Sequence, residues 1–192
     1  MDQEAVINHL KECGAFLEGH FLLSSGLHSP AYIQCALLLQ QPGRAGLVCA
    51  ALAELWQDES PDVVVGPALG GILVAYEVGR ALGARALFTE RVDGVMTLRR
   101  GFFLEPNEKV LVTEDIVTTG KSAKEAIEVV RASGATVIGV ASIGDRSKEN
   151  PFDVPFRALI KLDFPTYGAE ECPLCAEGGT AVKPGSRGLA AS

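Results

Sequence analysis

The hydrophobic and polar positions of the chain change their period several times, and each period predicts a type of element. Residues 2–18 carry apolar side chains at helical spacing, and Gly19 is a suitable end for that helix. Residues 43–58 have the apolar density of a mostly buried helix. Between these two helices, the run FLLSSGLHSPAYIQCALLL combines strand-like stretches with a Ser-Ser-Gly turn. This run predicts a small strand pair outside the main sheet.

From residue 62 onward, short apolar runs alternate with single helices. The predicted strands cover residues 62–66, 84–90, 108–114, 135–144 and 156–162. Helices are predicted over about residues 72–82 and over the run GKSAKEAIEVVRASG, which starts at Gly120. The alternation is typical of an α/β fold with a central parallel sheet flanked by helices. Ligands of such sheets bind beyond the carboxyl ends of the strands, so GPALGG, TEDIVTTGKS and GDRSKEN are the candidate binding loops.

The length and composition fit one globular domain. The 192 residues are 47% hydrophobic and 21% charged, so residues 1–192 are interpreted as a single domain with a full core. No apolar run approaches the roughly 20 residues of a membrane helix, and the acidic start MDQEAVINHLKEC lacks the pattern of a secretory signal. Proline, glycine, cysteine and serine become frequent near the end, and about residues 176–192 are predicted to form a loosely ordered tail.

The charge balance favours a small anionic ligand over a nucleic acid. The net charge is −7 and the sequence pI is about 5.0, which argues against a nucleic-acid partner. Arginines are nevertheless concentrated in one part of the chain: Arg80, Arg85, Arg91, Arg99 and Arg100. A cationic cluster on an acidic chain suits a small polyanion, and a solvated charged face is the alternative.

The five cysteines indicate a reducing compartment. Their number is odd, and Cys13, Cys35 and Cys49 stand isolated in apolar segments. They are interpreted as reduced core thiols of a cytoplasmic protein. Cys172 and Cys175 have the spacing of half a zinc site, but neither a second cysteine pair nor a histidine follows nearby in the sequence. A structural metal shared across a dimer and unliganded thiols both stay open.

The run VLVTEDIVTTGKS, residues 110–122, ends like the phosphate-binding loop of nucleotide triphosphatases. That loop requires glycine where this chain has Asp115, so the match fails there. Glu114 and Asp115 end an apolar strand, where adjacent carboxylates suit vicinal hydroxyls and support a divalent cation. The hydroxyls and amides of Thr118–Ser122 lie at the start of a helix, which favours a bound anion. A simple capping turn beside two exposed acids is the alternative.

This run resembles the phosphoribosyl-pyrophosphate (PRPP) motif of type I phosphoribosyltransferases, in which a hydrophobic strand and two acids precede a Thr/Gly-rich phosphate turn. Other segments resemble the orotate phosphoribosyltransferases, from about residue 4 to 187. FLLSSGLHSPAYIQCALLL is similar to their hood, GPALGGILVAYEVGRALG to their pyrophosphate loop and helix, and GDRS to their orotate-contacting Asp-Arg pair. FTERVDGVMTLRRGF and CPLCAEGGTAVKPGSRG resemble the mobile loop and the tail of the Thermus-like branch.

The resemblance implies a type I phosphoribosyltransferase fold, with a hood at about residues 19–40 and a mobile loop at about 90–102. It implies transfer of a 5-phosphoribosyl group from PRPP to N1 of orotate, in pyrimidine (UMP) biosynthesis. Such transfers pass through an oxocarbenium-like sugar, so orientation and charge stabilisation carry catalysis. The resemblance further implies Mg²⁺ held through PRPP, and a homodimer in which the mobile loop acts across the interface.

The resemblance also implies roles for residues that bind PRPP. The ribose hydroxyls are expected at Glu114 and Asp115, with Mg²⁺ near them. Contacts to PRPP are expected along the rest of the motif, with the 5′-phosphate held from Thr118 onward: Ile116, Val117, Thr118, Thr119, Gly120, Lys121 and Ser122. The pyrophosphate is expected at the backbone of the Pro67–Gly71 loop, through Ala68, Leu69 and Gly70.

Catalysis and base binding are implied at other positions. The predicted catalytic residues are Arg91, with Arg99 or Arg100, as a clamp on the pyrophosphate, and Asp115. The predicted orotate contacts are Arg146, Thr118, Tyr32 and Ile33. The chain departs from better-known branches at Ser24 and Gly70, where those branches have lysines, and its mobile loop is poorer in cations.

Two alternative functions and one question about two histidines stay open. A purine or uracil phosphoribosyltransferase is one, and Arg146 argues against it because those bases carry no carboxylate. A non-catalytic PRPP-sensing regulator that binds nucleic acid is another, and the low pI argues against it. His20 and His28 suggest acid–base catalysis, for which ordinary histidines of the hood are the alternative.

Overall fold

A computed structural model of the protein describes residues 1–23 and 25–184, and a six-stranded sheet forms its centre. The strands of this sheet are β3 (Val63–Pro67), β4 (Arg85–Val92), β5 (Val95–Leu98), β6 (Lys109–Val117), β7 (Thr136–Asp145) and β8 (Phe156–Lys161). Their order is β5-β4-β3-β6-β7-β8, and every pairing is parallel except that of β4 with the edge strand β5. The α/β class and the central sheet of parallel strands are therefore confirmed, and the antiparallel edge strand β5 is an addition that the sequence did not predict.

Helices cover both faces of this sheet. The helices are α1 (Gln3–Glu12), α2 (Cys35–Leu39), α3 (Pro42–Glu54), α4 (Gly70–Leu82), α5 (Lys121–Ala132) and α6 (Pro173–Ala176), with 3₁₀ turns at Gln57–Glu59 and Ala169–Glu171. Consecutive valines of β3 point to opposite layers: Val64 packs in the cluster that contains α3 and α4, and Val63 and Val65 pack with α5. Burial on both faces explains why this strand is a continuous apolar run. No described helix has both the length and the apolarity needed to cross a membrane.

The first helix is shorter than predicted. It begins after Asp2, whose carboxylate accepts a hydrogen bond from the amide of Ala5 at 2.8 Å, and it ends at Glu12 instead of residue 18. Gly14, with φ of +69°, turns the chain out of the helix. The strand β1 (Phe16–Leu22) follows, so its first residues fit a helical period in sequence but belong to a strand.

The predicted strand pair outside the main sheet is confirmed and forms the hood. The strand β1 pairs antiparallel with β2 (His28–Ile33), and α2 follows. The C-terminal segment lies against the hood, because Tyr167 bridges His28 and Val182 bridges Phe21. The described part of the predicted loose tail, 176–184, is thus held at Val182. Residues 185–192 and Ser24 lie outside the described residues.

The segment predicted as a mobile loop contains regular structure. Strands β4 and β5 form a hairpin with Arg91 opposite Met96, and its turn residues Asp93 and Gly94 both have positive φ. Two central residues with positive φ are typical of the tight turns that connect antiparallel strands. The expected loop at about 90–102 is therefore a hairpin at the sheet edge, followed by a turn near Arg100.

Candidate active site

A cavity of about 530 Å³ lies between the hood and the carboxyl ends of β6 and β7. Its lining comes from widely separated parts of the chain: Leu23, Ser25, Tyr32, Ile33, Gln34, Asp115, Ile116, Thr118, Thr119, Arg146 and Thr166. The cavity thus unites predicted orotate contacts with predicted PRPP contacts. The sequence reasoning missed four lining residues: Leu23, Ser25, Gln34 and Thr166. Gln34 directly follows a strand of the hood, whereas Thr166 lies in an irregular segment that gives no periodic signal.

Asp115 is held at the floor of the cavity. Its Oδ1 accepts a hydrogen bond from the amide of Ile116 at 2.7 Å, and burial raises the pKa of its carboxyl group. Gly70, at the start of α4, is so close that a β-carbon there would lie 2.6 Å from Asp115 Oδ2. Because Gly70 has no side chain, the carboxylate of Asp115 has room to occupy this position.

The side chain of Glu114 points to the face of β6 opposite that of Asp115, because successive strand residues point to opposite faces. It does not line the cavity. Burial, and then the charge of Asp115, raise the pKa of Glu114 to about 8, although Arg91 acts in the opposite direction. Near neutral pH, Glu114 accordingly keeps a proton unless a cation takes its place. The carboxylate oxygens of Asp115, which line the cavity, are hard donors that fit Mg²⁺.

The turn between β6 and α5 has the features of a phosphate site. Thr118 and Thr119 are exposed, and Gly120 caps α5 with φ of +70°. A β-carbon on Gly120 would also lie 2.7 Å from the ring of Phe152. Glycine is therefore required there for two reasons, the positive φ and this close contact. The first amides of α5 have no partners within the helix and point toward the turn. Val117 is the buried end of the strand, while Lys121 and Ser122 form the first turn of the helix.

The three predicted clamp arginines do not line the cavity. Arg91 forms an ion pair with Glu125 at 2.6 Å, and its Nη2 donates to Ser122 Oγ at 3.3 Å, so it lies beside the phosphate turn. Arg99 and Arg100 instead lie 3.9 and 3.0 Å from the carboxylate of Glu90. Among the three, the structure brings only Arg91 to the residues of the PRPP motif.

The Pro67–Gly71 loop joins β3 to α4 at the same edge of the sheet. The amide of Ala68 donates to the carbonyl of Thr89 at 2.7 Å, and Leu69 is 85% exposed. Neither residue lines the cavity. Their backbone is nevertheless adjacent to it, because Gly70 contacts Asp115.

Arg146 extends from the end of β7 into the cavity. Its amide donates to the carbonyl of Val117 at 2.8 Å, and its guanidinium lies 5.9 Å from the ring centroid of Phe164. Burial lowers its pKa, and among the described residues no side-chain hydrogen bond or ion pair engages its guanidinium. The neighbouring Asp145 is occupied differently, since it forms an ion pair with Lys161 at 2.8 Å.

Tyr32 and Ile33 supply the hood side of the cavity. Tyr32 is half-buried, and burial followed by the charge of Asp115 raises the pKa of its hydroxyl. Its ring lies 6.0 Å from that of Phe21. The hood therefore offers an aromatic side chain opposite a cationic one, which suits a planar anionic ligand.

Comparison with known proteins first defines the class. The profile of the phosphoribosyl transferase domain matches residues 36–157, a span that includes β3, β6 and the phosphate turn. The class of a phosphoribosyl transferase follows from this match and from the fold.

Relatives then define the particular family. The orotate phosphoribosyltransferase of Caldanaerobacter subterraneus subsp. tengcongensis is 53% identical over 190 residues, 98% of this chain and 100% of that protein. That of Thermotoga maritima is 54% identical over 181 residues, 94% of this chain and 97% of its own. The crystal structure of orotate phosphoribosyltransferase from Aeropyrum pernix matches with a TM-score of 0.68 at 28% identity, over 82% of this chain and 93% of that one. The chain belongs to the orotate phosphoribosyltransferases.

Proposed function

We propose that the protein transfers the 5-phosphoribosyl group of PRPP to N1 of orotate, producing orotidine 5′-monophosphate and pyrophosphate. The observation that carries the choice of base is the half-buried guanidinium of Arg146, which faces the cavity without a side-chain partner among the described residues. A planar guanidinium matches a planar carboxylate through paired hydrogen bonds. Orotate carries such a carboxylate, whereas uracil and the purine bases do not.

The PRPP motif supplies the sugar and phosphate contacts of this proposal. Asp115 accepts hydrogen bonds from the ribose hydroxyls, since it lines the cavity and is fixed by the amide of Ile116. Thr118, Thr119 and the first amides of α5 bind the 5′-phosphate, because exposed amides at a helix start favour an anion. The ribose is thereby oriented between its phosphate and the base, which reduces the entropic part of the barrier.

The chemistry needs no protein nucleophile. Mg²⁺, bound with PRPP, would neutralise the charge that develops on the leaving pyrophosphate, and Asp115, whose carboxylate lines the cavity, is the residue whose oxygens would hold it. The half-buried carboxylate of Asp115 also stabilises positive charge on the sugar, more strongly than it would in water. The walls of the cavity, including Tyr32 and Ile33, exclude water that would hydrolyse the activated sugar.

We further propose that Arg91 exchanges Glu125 for the pyrophosphate when substrate binds. Support comes from its position beside Ser122, at the end of the phosphate turn. Arg99 and Arg100 reach the site only if the hairpin of β4 and β5 moves, or if they act on the site of a second copy. A homodimer is proposed on this ground, with light scattering after gel filtration as its test. A cytoplasmic location completes the proposal.

The test of the proposed function is the loss of orotate absorbance in the presence of PRPP and Mg²⁺. Parallel reactions contain adenine, hypoxanthine, xanthine or uracil in place of orotate. We expect turnover of orotate alone, and loss of that turnover when a chelator removes Mg²⁺. Turnover of a purine or of uracil without turnover of orotate would refute the base assignment. Binding of PRPP without turnover of any base, together with a gel shift of DNA or RNA, would favour a regulator instead.

A further inference from the structure

Four metal-ligating side chains converge where the hood meets the C-terminal segment, and none of them lines the cavity. His20, His28, Cys172 and Cys175 each offer one ligand atom, and all four atoms lie within 4.8 Å of one another. Two of these residues come from the hood and two from a segment about 150 residues later, so only the fold brings them together. The sequence showed the cysteine pair as half a site with no histidine nearby. The folded chain places two histidines beside it.

The hairpin of the hood aligns the two histidines. Leu22 pairs with His28 across β1 and β2, and the register of this pairing shifts between Glu18 and Phe21, the irregular stretch that contains His20. The atoms His20 Nε2 and His28 Nδ1 are 2.8 Å apart. Their rings meet edge to face, with centroids 4.8 Å apart.

The cysteines approach from α6. Cys172 caps this helical turn and Cys175 lies within it, so their spacing of three places both thiols on one side. Cys172 Sγ is 3.4 Å from His20 Nε2, and Cys175 Sγ is 3.3 Å from His28 Nδ1 and 3.7 Å from His20 Nε2. Cys172 and His28 are buried, and all five cysteines are unbridged.

Hydrogen bonds do not account for this convergence. His20 Nε2 has three polar neighbours, and an imidazole nitrogen either donates one proton or offers one lone pair. One cation at the centre would satisfy all four ligand atoms together. Tetrahedral zinc, with Zn–N of about 2.0–2.1 Å and Zn–S of about 2.3 Å, separates its ligand atoms by roughly 3.3–3.8 Å. Three of the observed separations, 3.3, 3.4 and 3.7 Å, fall in that range. The 2.8 Å pair is shorter and the other pairs lie within 4.8 Å, so binding of the ion requires small shifts of the ligands.

We propose that His20, His28, Cys172 and Cys175 bind one zinc ion that fastens the C-terminal segment to the hood. Two thiolates and two imidazoles are a common donor set of structural zinc, with no position left for substrate. Backbone hydrogen bonds run beside it, from Leu22 to Val182 and from His28 to Tyr167. The ion closes a loop of about 150 residues, and its binding energy becomes folding energy for the hood.

The site has a consequence for base binding. The strand β2 carries His28 at its start and Ile33 at its end, with Tyr32 between them. A zinc ion at His28 therefore stabilises the strand whose other end lines the cavity. This role concerns the hood and does not depend on which base the enzyme uses.

The first test is the metal content of the full-length protein, purified without chelator and gel-filtered after incubation with ZnSO₄. We expect about one zinc per chain, as in other closed four-ligand sites. The variants Cys172→Ser, Cys175→Ser and His28→Ala should each lose most of it. Cys13→Ser and His9→Ala are the matched controls and should keep it, because neither residue belongs to the cluster. A metal-free wild-type protein, or zinc retained in a Cys172→Ser/Cys175→Ser double variant, would overturn the proposal.

A second test uses only the wild-type protein, so it does not depend on the folding of variants. Replacement of the ion by Co²⁺ should give thiolate-to-cobalt charge-transfer absorption and the intense visible bands of tetrahedral cobalt. Chelation should lower the melting temperature, and added ZnSO₄ should restore it. Thiol titration of the denatured, metal-free protein without reductant should count five thiols. A count of three, with a mass two hydrogens lower, would show one disulfide, and a peptide map that placed it at Cys172 and Cys175 would refute the zinc site.

Discussion

Gly70 and Asp115 approach so closely that a β-carbon on Gly70 would lie 2.6 Å from Asp115 Oδ2. Real side chains do not tolerate that separation, so the carboxylate occupies the space that any other residue at position 70 would fill. In this structure a side chain at position 70 and the observed position of Asp115 exclude each other, so the absence of a side chain at Gly70 is part of the site geometry.

The substitution Gly70→Ala should therefore displace Asp115 and lower kcat/KM for PRPP. A displacement of about 1 Å at a reacting group reduces rates by up to about 100-fold, and we expect a loss of kcat/KM for PRPP on the order of 10- to 100-fold. Steady-state kinetics at saturating orotate measures it. The control is Gly43→Ala in α3, where a β-carbon meets nothing within 4 Å. Equal kinetics for Gly70→Ala and the control would show that Asp115 does not need this space.

Gly120→Ala should damage both the fold and the phosphate site. The left-handed φ of +70° costs a non-glycine residue about 1–2 kcal/mol, and the new methyl group also meets the ring of Phe152. We expect weaker binding of PRPP, measured by calorimetry, together with a lower free energy of unfolding.

Gly134→Ala is the matched control for this change. Gly134 has φ of +84°, but a β-carbon there meets no atom closer than 3.7 Å and lies far from the phosphate turn in sequence. The Gly134→Ala variant should be less stable because of backbone strain alone, and it should keep the wild-type affinity for PRPP. If both variants lost the same PRPP affinity, the loss at Gly120 would reflect general destabilisation.

Five of the six strands of the main sheet could be predicted from sequence because each combines an apolar run with a following turn. The sixth, β5 (Val95–Leu98), lies in the segment predicted as a mobile loop and was missed. The strand at 62–66 is observed at Val63–Pro67, and the one at 135–144 at Thr136–Asp145. Local periodicity failed at residues 16–22, whose apolar positions fit a helix as well as a strand. Their pairing with β2 decides between the two periods, and that contact is not visible in a local pattern.

The sequence indicated candidate site residues where they are contiguous and not where the fold assembles them. The run from Glu114 to Ser122 carries its chemistry within nine residues, so its composition alone indicated a sugar and a phosphate. The partners of Cys172 and Cys175 are histidines about 150 residues earlier. Sequence spacing does not indicate that these residues lie close together. Their proximity results from strand pairing in the hood and from docking of the C-terminal segment.

Arg146→Ala should weaken the binding of orotate far more than that of PRPP. A charge-assisted hydrogen bond contributes about 1.5–3 kcal/mol, so the KM for orotate should rise about 10- to 150-fold while the KM for PRPP changes little. Initial rates with each substrate varied in turn separate the two effects. Arg131→Ala is the control, since Arg131 pairs with Asp153 on the exposed side of α5. Equal losses for both substrates would contradict the assignment of Arg146 to the base.

Glu114 should make the ligand-free protein less stable as the pH rises. Its pKa is about 8 in the folded chain against 4.5 for the ordinary group. Between these values the folded state keeps a proton that the unfolded state releases, so the free energy of unfolding falls as pH increases. The part due to Glu114 is on the order of a few kcal/mol between about pH 5 and pH 8. The raised pKa of Asp115 acts in the same direction.

Urea denaturation at pH 5, 6, 7 and 8 without ligands measures this slope. Glu114→Gln keeps the size of the side chain but cannot ionise, so its unfolding free energy should depend less on pH than that of the wild type. Glu18→Gln, on the exposed face of β1, is the control and should keep the wild-type slope. A Glu114→Gln variant that retained the full slope would mean that Glu114 is already ionised in the folded protein. In that case cation binding at this position would require no displacement of a proton.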